Sequence, residues 1–334
     1  MTTYFAGNED INFVRSGGGP YMSTAAGRFD SDYARAALHC HKLRIFRAEW
    51  DSTVNSFWYQ GRYQWDAGNN SQNDDALWTL YNDSQQILRI RHKDAIDSDL
   101  QFERWDGSWT LIEDSGIQPG DDVTHRIAFN VTLSTATGVF EMYLDDALII
   151  DQQNIDTLGT SGVTDANACE LESPYHNGSA PTSTQLFVSE ILVLNVDPRT
   201  KRLMSLNPDG DGNGTAWTGV YTDIDEIEEN ESDLIASTAA NQIEQQTVGA
   251  TPASAANFSV DELRVSARAR RGASGPQNIQ LSQRHNSVDG FSGTKILGTA
   301  YAVVSNSFLT NPDTAAAWTI SELATAEIGV KSIT

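Results

Sequence analysis

Glu49 and Asp51, in the run AEWDSTV, are the carboxylates of this chain whose spacing comes nearest to hydrolytic chemistry. Retaining glucanases built on β-sandwiches set three acidic residues along one face of a strand as nucleophile, helper and acid, with the working pair about 5.5 Å apart. Here Ser52, Thr53 and Val54 follow and the second Glu is missing, so nothing stands ready to protonate a leaving oxygen. Hydrolysis is not expected from this site. The run NPDGDGNG alternates Asp209, Asp211 and Asn213 ahead of Gly214, as in the first half of a calcium loop. The bidentate Glu that closes such a loop at its twelfth position is here Val220, so the match is half of a motif, and a tight Gly-rich junction accounts for the same letters. Asp209, Asp211 and Asn213 are the candidate Ca2+ ligands, with the acidic stretch from Asp223 as help, and no other cofactor is expected.

His39 and His41 flank Cys40 and, on a strand, project to one face with the thiol opposite. No carboxylate or further His lies close enough in sequence to complete a metal site, so none is expected there. There is no nucleophile elbow and no phosphate-binding Gly-Lys loop, and SGGGP at Ser16 to Pro20 reads as a flexible turn. Trp50, Trp58, Trp65, Trp78, Trp105 and Trp109 concentrate in the first half. Burial in a core is the favoured reading, and stacking on sugar rings is the alternative.

The elements that must hold these residues are strands. From Tyr4 to about Val196 the apolar pattern has period two, broken by Gly, Asn and Asp turns. In HRIAFNVTLS, Ile127, Phe129, Val131 and Leu133 point one way, and Arg126, Ala128, Asn130 and Thr132 the other. Asp106 and Gly107 separate LQFERW from SWTLIE as a hairpin turn, which brings Trp105 near Trp109. In VFEMYLDDALII the turn falls on Asp145 and Asp146, which tolerate a left-handed backbone less well than Gly. LFVSEILVLNV, Leu186 to Val196, is apolar on nearly both faces and reads as a central strand.

Beyond it, charges, Pro and Gly break the alternation, which places a domain boundary near Leu206. The second domain opens on an acidic stretch, Asp223 to Asp233, expected to be a solvated surface. DELRVSARARR follows as a strand, with Leu263, Val265, Ala267 and Ala269 opposite Arg264, Ser266, Arg268 and Arg270. That basic edge is suited to the acidic stretch, of this chain or of a neighbour. NPD followed by AWT occurs twice, at Asn207 to Thr218 and Asn311 to Thr319, and reads as a shared turn, not a repeated domain.

With 22 Lys plus Arg against 45 Asp plus Glu, the formal charge is -23 over 334 residues. DNA or an anionic membrane meets repulsion over most of such a surface, so neither nucleic-acid binding nor membrane insertion is expected. MTTYFAGNEDINF lacks a secretory signal's basic start and apolar core, and no later run is apolar enough to span a bilayer. A soluble product made in the cytoplasm is the expectation. Cys40 and Cys169 are the only cysteines; two unpaired thiols is the favoured reading, with a bridge left open.

The hairpin VFEMYLDDALII and the strand FVSEILVLNV resemble the concanavalin-A-like or laminin-G-like jelly roll, and YFAGNEDINF and FDSDYARAALHCHKLRI are similar to the start of phage proteins that carry it. Asp146 departs from that pattern, standing where a Gly is usual. AWTGVYTDIDE, FSVDELRVSARARR and NPDTAAAWT resemble the C-terminal region of structural proteins of tailed bacteriophages. The resemblance implies an all-β protein: a jelly-roll sandwich over residues 1–206, then a smaller β-rich assembly domain over 207–334. It implies a non-enzymatic component of the virion, assembled in the host cytoplasm, in the tail, baseplate or fibre. The expected partners are other virion proteins and further copies of the chain. The alternatives are a host-receptor module binding surface glycans, and a capsid-surface decoration protein.

Overall fold

Alternating apolar residues become strands because each pleat sends successive side chains to opposite faces, and a run with one apolar face is stable only against another such run. The structure, a computed structural model, describes residues 1–7, 14–16, 22–23, 37–40, 45–65, 75–92, 99–120, 123–171, 186–226 and 230–334. His41 and the SGGGP residues from Gly17 onward lie outside them, as do the side chains of Ser16, His39, Cys40, Asp51 and Trp65. The chain divides into two compact units, Met1–Met204 and Ser205–Thr334.

The first unit is a jelly-roll sandwich of two antiparallel sheets. One runs in the order Ala147–Ile155, Gly138–Leu144, Thr124–Thr132, Ser56–Trp65, Leu186–Leu194, Ala37–Cys40, Met22–Ser23, with Thr3–Gly7 also against Leu186–Leu194. The other runs Trp109–Asp114, Leu100–Trp105, Gln85–His92, Asp75–Asn82, Ala166–Leu171, Ile45–Val54, Val14–Ser16. Leu186–Leu194 is the central strand its two-sided apolar pattern predicts, and Ile127, Phe129, Val131 and Leu133 all face the core. Aromatic rings join the sheets. Phe102 stacks on Phe140 at 3.7 Å between centroids, Trp78 meets Phe129 edge-on at 4.4 Å, and Tyr59, which stacks on Phe129 within its own sheet, meets Trp78 across the core at 5.7 Å. Each of these rings is almost wholly removed from water, the largest single contribution a side chain makes to such a core.

Both hairpins form. Gly107 has φ +83°, a left-handed conformation that costs Gly nothing, and Trp105 and Trp109 meet edge-on at 5.1 Å. Asp145 and Asp146 both take positive φ, +48° and +72°, and their side chains hold the turn. The Asp145 carboxylate accepts from the Arg126 backbone N–H at 2.8 Å and sits 2.6 Å from His125 Nδ1, and Asp146 pairs with the Arg126 guanidinium. Local hydrogen bonding thus lets Asp stand where Gly is usual.

The second unit has a sheet in the order Pro208–Thr215, Ile243–Val248, Glu327–Ile333, Asn278–His285, Val288–Phe291, with Lys295–Ile296 also on Asn278–His285, and a two-stranded sheet of Leu263–Ala269 and Ala302–Phe308. Val265, Ile279, Leu281, Leu297, Phe308 and Val330 form its core. The basic edge meets the chain's own acidic stretch, Arg268 to Glu231 at 2.6 Å. The two NPD…AWT segments fold differently. Pro208–Thr215 is a strand, and Trp217 Nε1–H donates to the Gln242 carbonyl at 3.2 Å. In the other, Asn311 is fully buried, its side chain accepting from the Asp313 N–H at 2.9 Å in a turn that seats Trp318 against Gln283.

Candidate functional site

Period-two alternation gives each sheet of the sandwich an inward and an outward face, so polar side chains that could meet a ligand are found on the two outward ones. The sheet containing Ile45–Val54 presents an outward row fixed by register. Arg47 stands opposite Glu170, Glu170 opposite Thr79, Thr79 opposite Arg89, and Arg89 opposite Glu103. Opposed cross-strand pairs of unlike charge are the natural contacts of such a row. Arg47 donates from Nε to Glu49 at 2.7 Å, from Nη1 to Glu170 at 2.9 Å, and from Nη2 to the Asp83 carbonyl. Burial works against the Arg47 charge, but the hydrogen bonds to Glu49 and Glu170 outweigh it and hold the guanidinium above its ordinary range. Glu103, 4% exposed, takes Arg89 on one oxygen and Arg91 on the other, the latter at 3.3 Å. Arg89 also lies over the Trp109 ring at 4.4 Å, and Arg47 over the Tyr81 ring at 5.0 Å.

At one end of this row lies a cleft of about 470 Å³ lined by Arg47, Glu49, Trp50, Asp83, Ser84 and Asn167. Its wall is rigid. Trp50 is buried and anchored by its indole N–H to the Ala166 carbonyl at 3.1 Å. Asn167 clasps the turn at Asp83, accepting from the Asp83 N–H and donating to its carboxylate, both at 2.8 Å. Asp83 sits at φ +50° in that turn. The Glu49 side chain is 52% exposed and has an oxygen to offer beyond the one Arg47 holds. Among the described residues, no further strand or helix crosses this face.

The opposite outward face, on the sheet containing Ser56–Trp65, is covered by the chain itself. The segment Asp197–Met204 runs over it, taking a hydrogen bond from Arg126 at the Arg199 carbonyl (2.5 Å) and one from Gln60 at the Lys201 carbonyl (3.4 Å). Arg199 lies 3.8 Å from the Tyr143 ring centre and 5.5 Å from that of Trp58. Burial alone raises the neighbouring Asp197 carboxyl, yet its bonds to Arg199 win and set it below the usual carboxylate range. Glu190, 1% exposed at a bulge with φ +50°, pairs with Arg202 at 2.7 Å and Arg62 at 3.1 Å.

The structure sorts the sequence candidates. Glu49 joins the cleft, while the Asp51 side chain and the two histidines' side chains lie outside the described residues. Trp50 and Trp78 are core residues, Trp58 is half-buried under Arg199, and Trp105 and Trp109 are half-buried at their hairpin. The candidate calcium ligands Asp209, Asp211 and Asn213 lie on the strand Pro208–Thr215 and not in a loop. Asp209 accepts from the Thr247 hydroxyl at 2.8 Å and Asp211 from the Tyr221 N–H at 2.9 Å. The glycines between them are there for room, since a Cβ at Gly212 would come within 2.7 Å of the Gln245 carbonyl. Among the described residues, no group of three or more His, Cys, Asp or Glu could hold a metal ion. Cys169 is a buried free thiol, pushed up to about 12 by desolvation. Arg47, Asp83, Asn167, Arg89, Arg91 and Glu103 were not picked out from sequence. The only signal was long charged side chains at the outward positions of RIR and QFER.

Fold and site together define a two-sheet jelly roll with one outward face covered and one carrying an ordered polar row. No family model and no curated protein matches the chain in sequence. Solved structures do. An endo-β-1,4-glucuronan lyase from the fungus Trichoderma reesei is 11% identical, with a TM-score of 0.44 over 58% of this chain and 96% of that one. A carbohydrate-binding module from Bacillus subtilis is 10% identical, with a TM-score of 0.33 over 55% and 96%. A carbohydrate esterase from the Shiga toxin-encoding bacteriophage phi24B is 11% identical, with a TM-score of 0.38 over 58% and 99%. These likenesses are to the β-sandwich fold. They correct one expectation, that of a protein without catalysis: similar sandwiches include lyases and an esterase, so the architecture is no ground for excluding an enzyme.

Proposed function

We propose that the first unit is a glycan-binding module whose saccharide lies on the outward face of the sheet containing Ile45–Val54, entering the cleft beside Glu49. The observation that carries this is the ordered row from Arg47 to Glu103 and the rigid cleft at its end, on a face that no further described strand or helix crosses. Saccharides are held by fixed polar groups that meet hydroxyls in pairs, beside apolar or aromatic walls. Here the carboxylates and the Asn167 amide are already immobilised by ion pairs and hydrogen bonds, so little side-chain freedom is lost on binding.

The test is retention of the full chain on a glycan array. Glu49→Ala and Asn167→Ala should each weaken it by at least about tenfold, while Lys201→Ala, on the covered face, leaves it unchanged. Equal loss in all three, or no effect of the first two, would remove the assignment.

The place of action we propose is the particle of a tailed phage, with the second unit as the assembly element joining other virion proteins or copies of the chain. Support comes from the similarity of AWTGVYTDIDE and NPDTAAAWT to phage structural proteins, and from apolar side chains left to solvent on that unit, Ile296 at 85% and Leu309 at 56% exposed. Mass spectrometry of purified particles tests it. The chain's absence from them would end the proposal.

A further inference from the structure

Resting on the glycan-binding reading, the charge pattern of the same face assigns the ligand's class: we infer an uncharged saccharide, recognised through its hydroxyl groups. Each described arginine of the row is already paired. Arg47 is shared between Glu49 and Glu170 and donates its remaining edge to the Asp83 carbonyl. Arg89 and Arg91 are both committed to Glu103, and Arg89 is stacked on Trp109 as well. Arg104, opposite the buried Leu88, points to the other side of the sheet and is not part of the row. An anionic sugar binds by laying its carboxylate on a guanidinium fork, with two parallel N–H donors. On this face each of these guanidinium groups already bonds one of the protein's own carboxylates, and displacing one leaves a part-buried carboxylate unpaired, a penalty the ligand must overcome.

The groups that do face the cleft point the same way. Glu49, Asp83, Ser84 and Asn167 offer carboxylate, hydroxyl and amide atoms, and the sole cation in the lining is Arg47, already paired with Glu49 and Glu170. A carboxylate accepts from a sugar hydroxyl, and an amide or hydroxyl can accept from or donate to one, so neighbouring hydroxyls on a neutral ring are complementary to this set. The chain's net charge of -23 adds long-range repulsion against a polyanion and none against a neutral ligand.

The experiment is calorimetric titration of the full chain with two panels of equal length: neutral gluco-, manno- and fructo-oligosaccharides, and oligouronates. Binding to a neutral member that changes by less than about twofold between about 0.05 and about 0.5 M NaCl supports the inference, because a neutral ligand carries no charge to screen. Tight binding of an oligouronate that weakens about tenfold or more over the same salt range, and that Glu49→Ala abolishes, overturns the inference and leaves the glycan site standing. Binding of neither panel, with no effect of Glu49→Ala on any array signal, overturns both. A second variant sharpens the test. Glu49→Gln leaves only a neutral acceptor on the Arg47 Nε–H, so oligouronate retention should rise in the variant while neutral binding falls; uronate retention that stays flat argues against the Arg47–Glu49 ion pair as the cause.

Discussion

The two outward faces of the sandwich are built from the same alternation and have opposite fates. On one, arginines and carboxylates of neighbouring strands pair with each other, with Glu103 buried in the row and Glu49 half exposed at its end. On the other, Glu190 is buried between Arg62 and Arg202, and the segment Asp197–Met204 is stacked on the rings of Tyr143 and Trp58. The difference teaches that a charged outward row does not by itself mark a binding surface. What separates the two is whether the chain comes back over the row. Where it does, the charges are interior groups that specify the fold. Where no described strand or helix does, the row runs from buried Glu103 to half-exposed Glu49.

The contrast is broken most directly by Glu190→Ala. Removing a buried carboxylate takes its counter-charge from two guanidinium groups, a change that costs about 3 kcal/mol. The midpoint of urea unfolding should fall accordingly at unchanged slope. A loss under about 0.5 kcal/mol would put the covered face on the same footing as the open one.

A histidine on the sheet that carries the polar row sharpens the comparison through pH. Burial depresses His92 to about 4 from the ordinary histidine value of 6.5. Between those values the unfolded chain takes up a proton that folded His92 refuses. Its contribution is therefore fully present above about pH 6.5 and falls as pH drops to about 4, by about 2 to 3 kcal/mol in all. Equilibrium unfolding of His92→Gln followed across that range should show a shallower slope than the parent chain; identical slopes would exclude His92 as the source.

Smaller effects are expected where side chains are exposed. Glu49→Ala should leave stability within about 0.5 kcal/mol of the parent while removing glycan retention, because a half-exposed ion pair contributes little to folding. A large drop in thermal midpoint would turn the cleft into a structural feature. Asp146→Gly is the mildest. Gly takes φ +72° without strain but gives up the contact with Arg126, and the two nearly cancel, to within about 0.5 kcal/mol by chemical denaturation.

Much of the fold was legible because it is local. Asp106-Gly107 writes its own turn, and Ile127 to Leu133 write their own buried face. The candidate site was legible only through Glu49, picked out for another reason. A carboxylate triad was sought along one strand, whereas the structure sets Glu49 beside Arg47 of its own strand, which in turn reaches Glu170, 123 residues on. Asp209, Asp211 and Asn213 misled for the converse reason. Alternating Asp, Gly and Asn spell half a calcium loop, but they also spell an edge strand thinned by glycine, and pairing with Ile243–Val248 decided between them.

By itself the sequence determined the all-β class, the inward residues, the central strand and the two hairpins, because each rests on side chains a few positions apart obeying the geometry of one strand. Tertiary structure alone decided which outward face the segment Asp197–Met204 covers. Alternation gives every strand two faces, but only the return of Asp197–Met204 over strands more than a hundred residues earlier in the chain, at Gln60 and Arg62, covers one of them, and no local pattern encodes that contact.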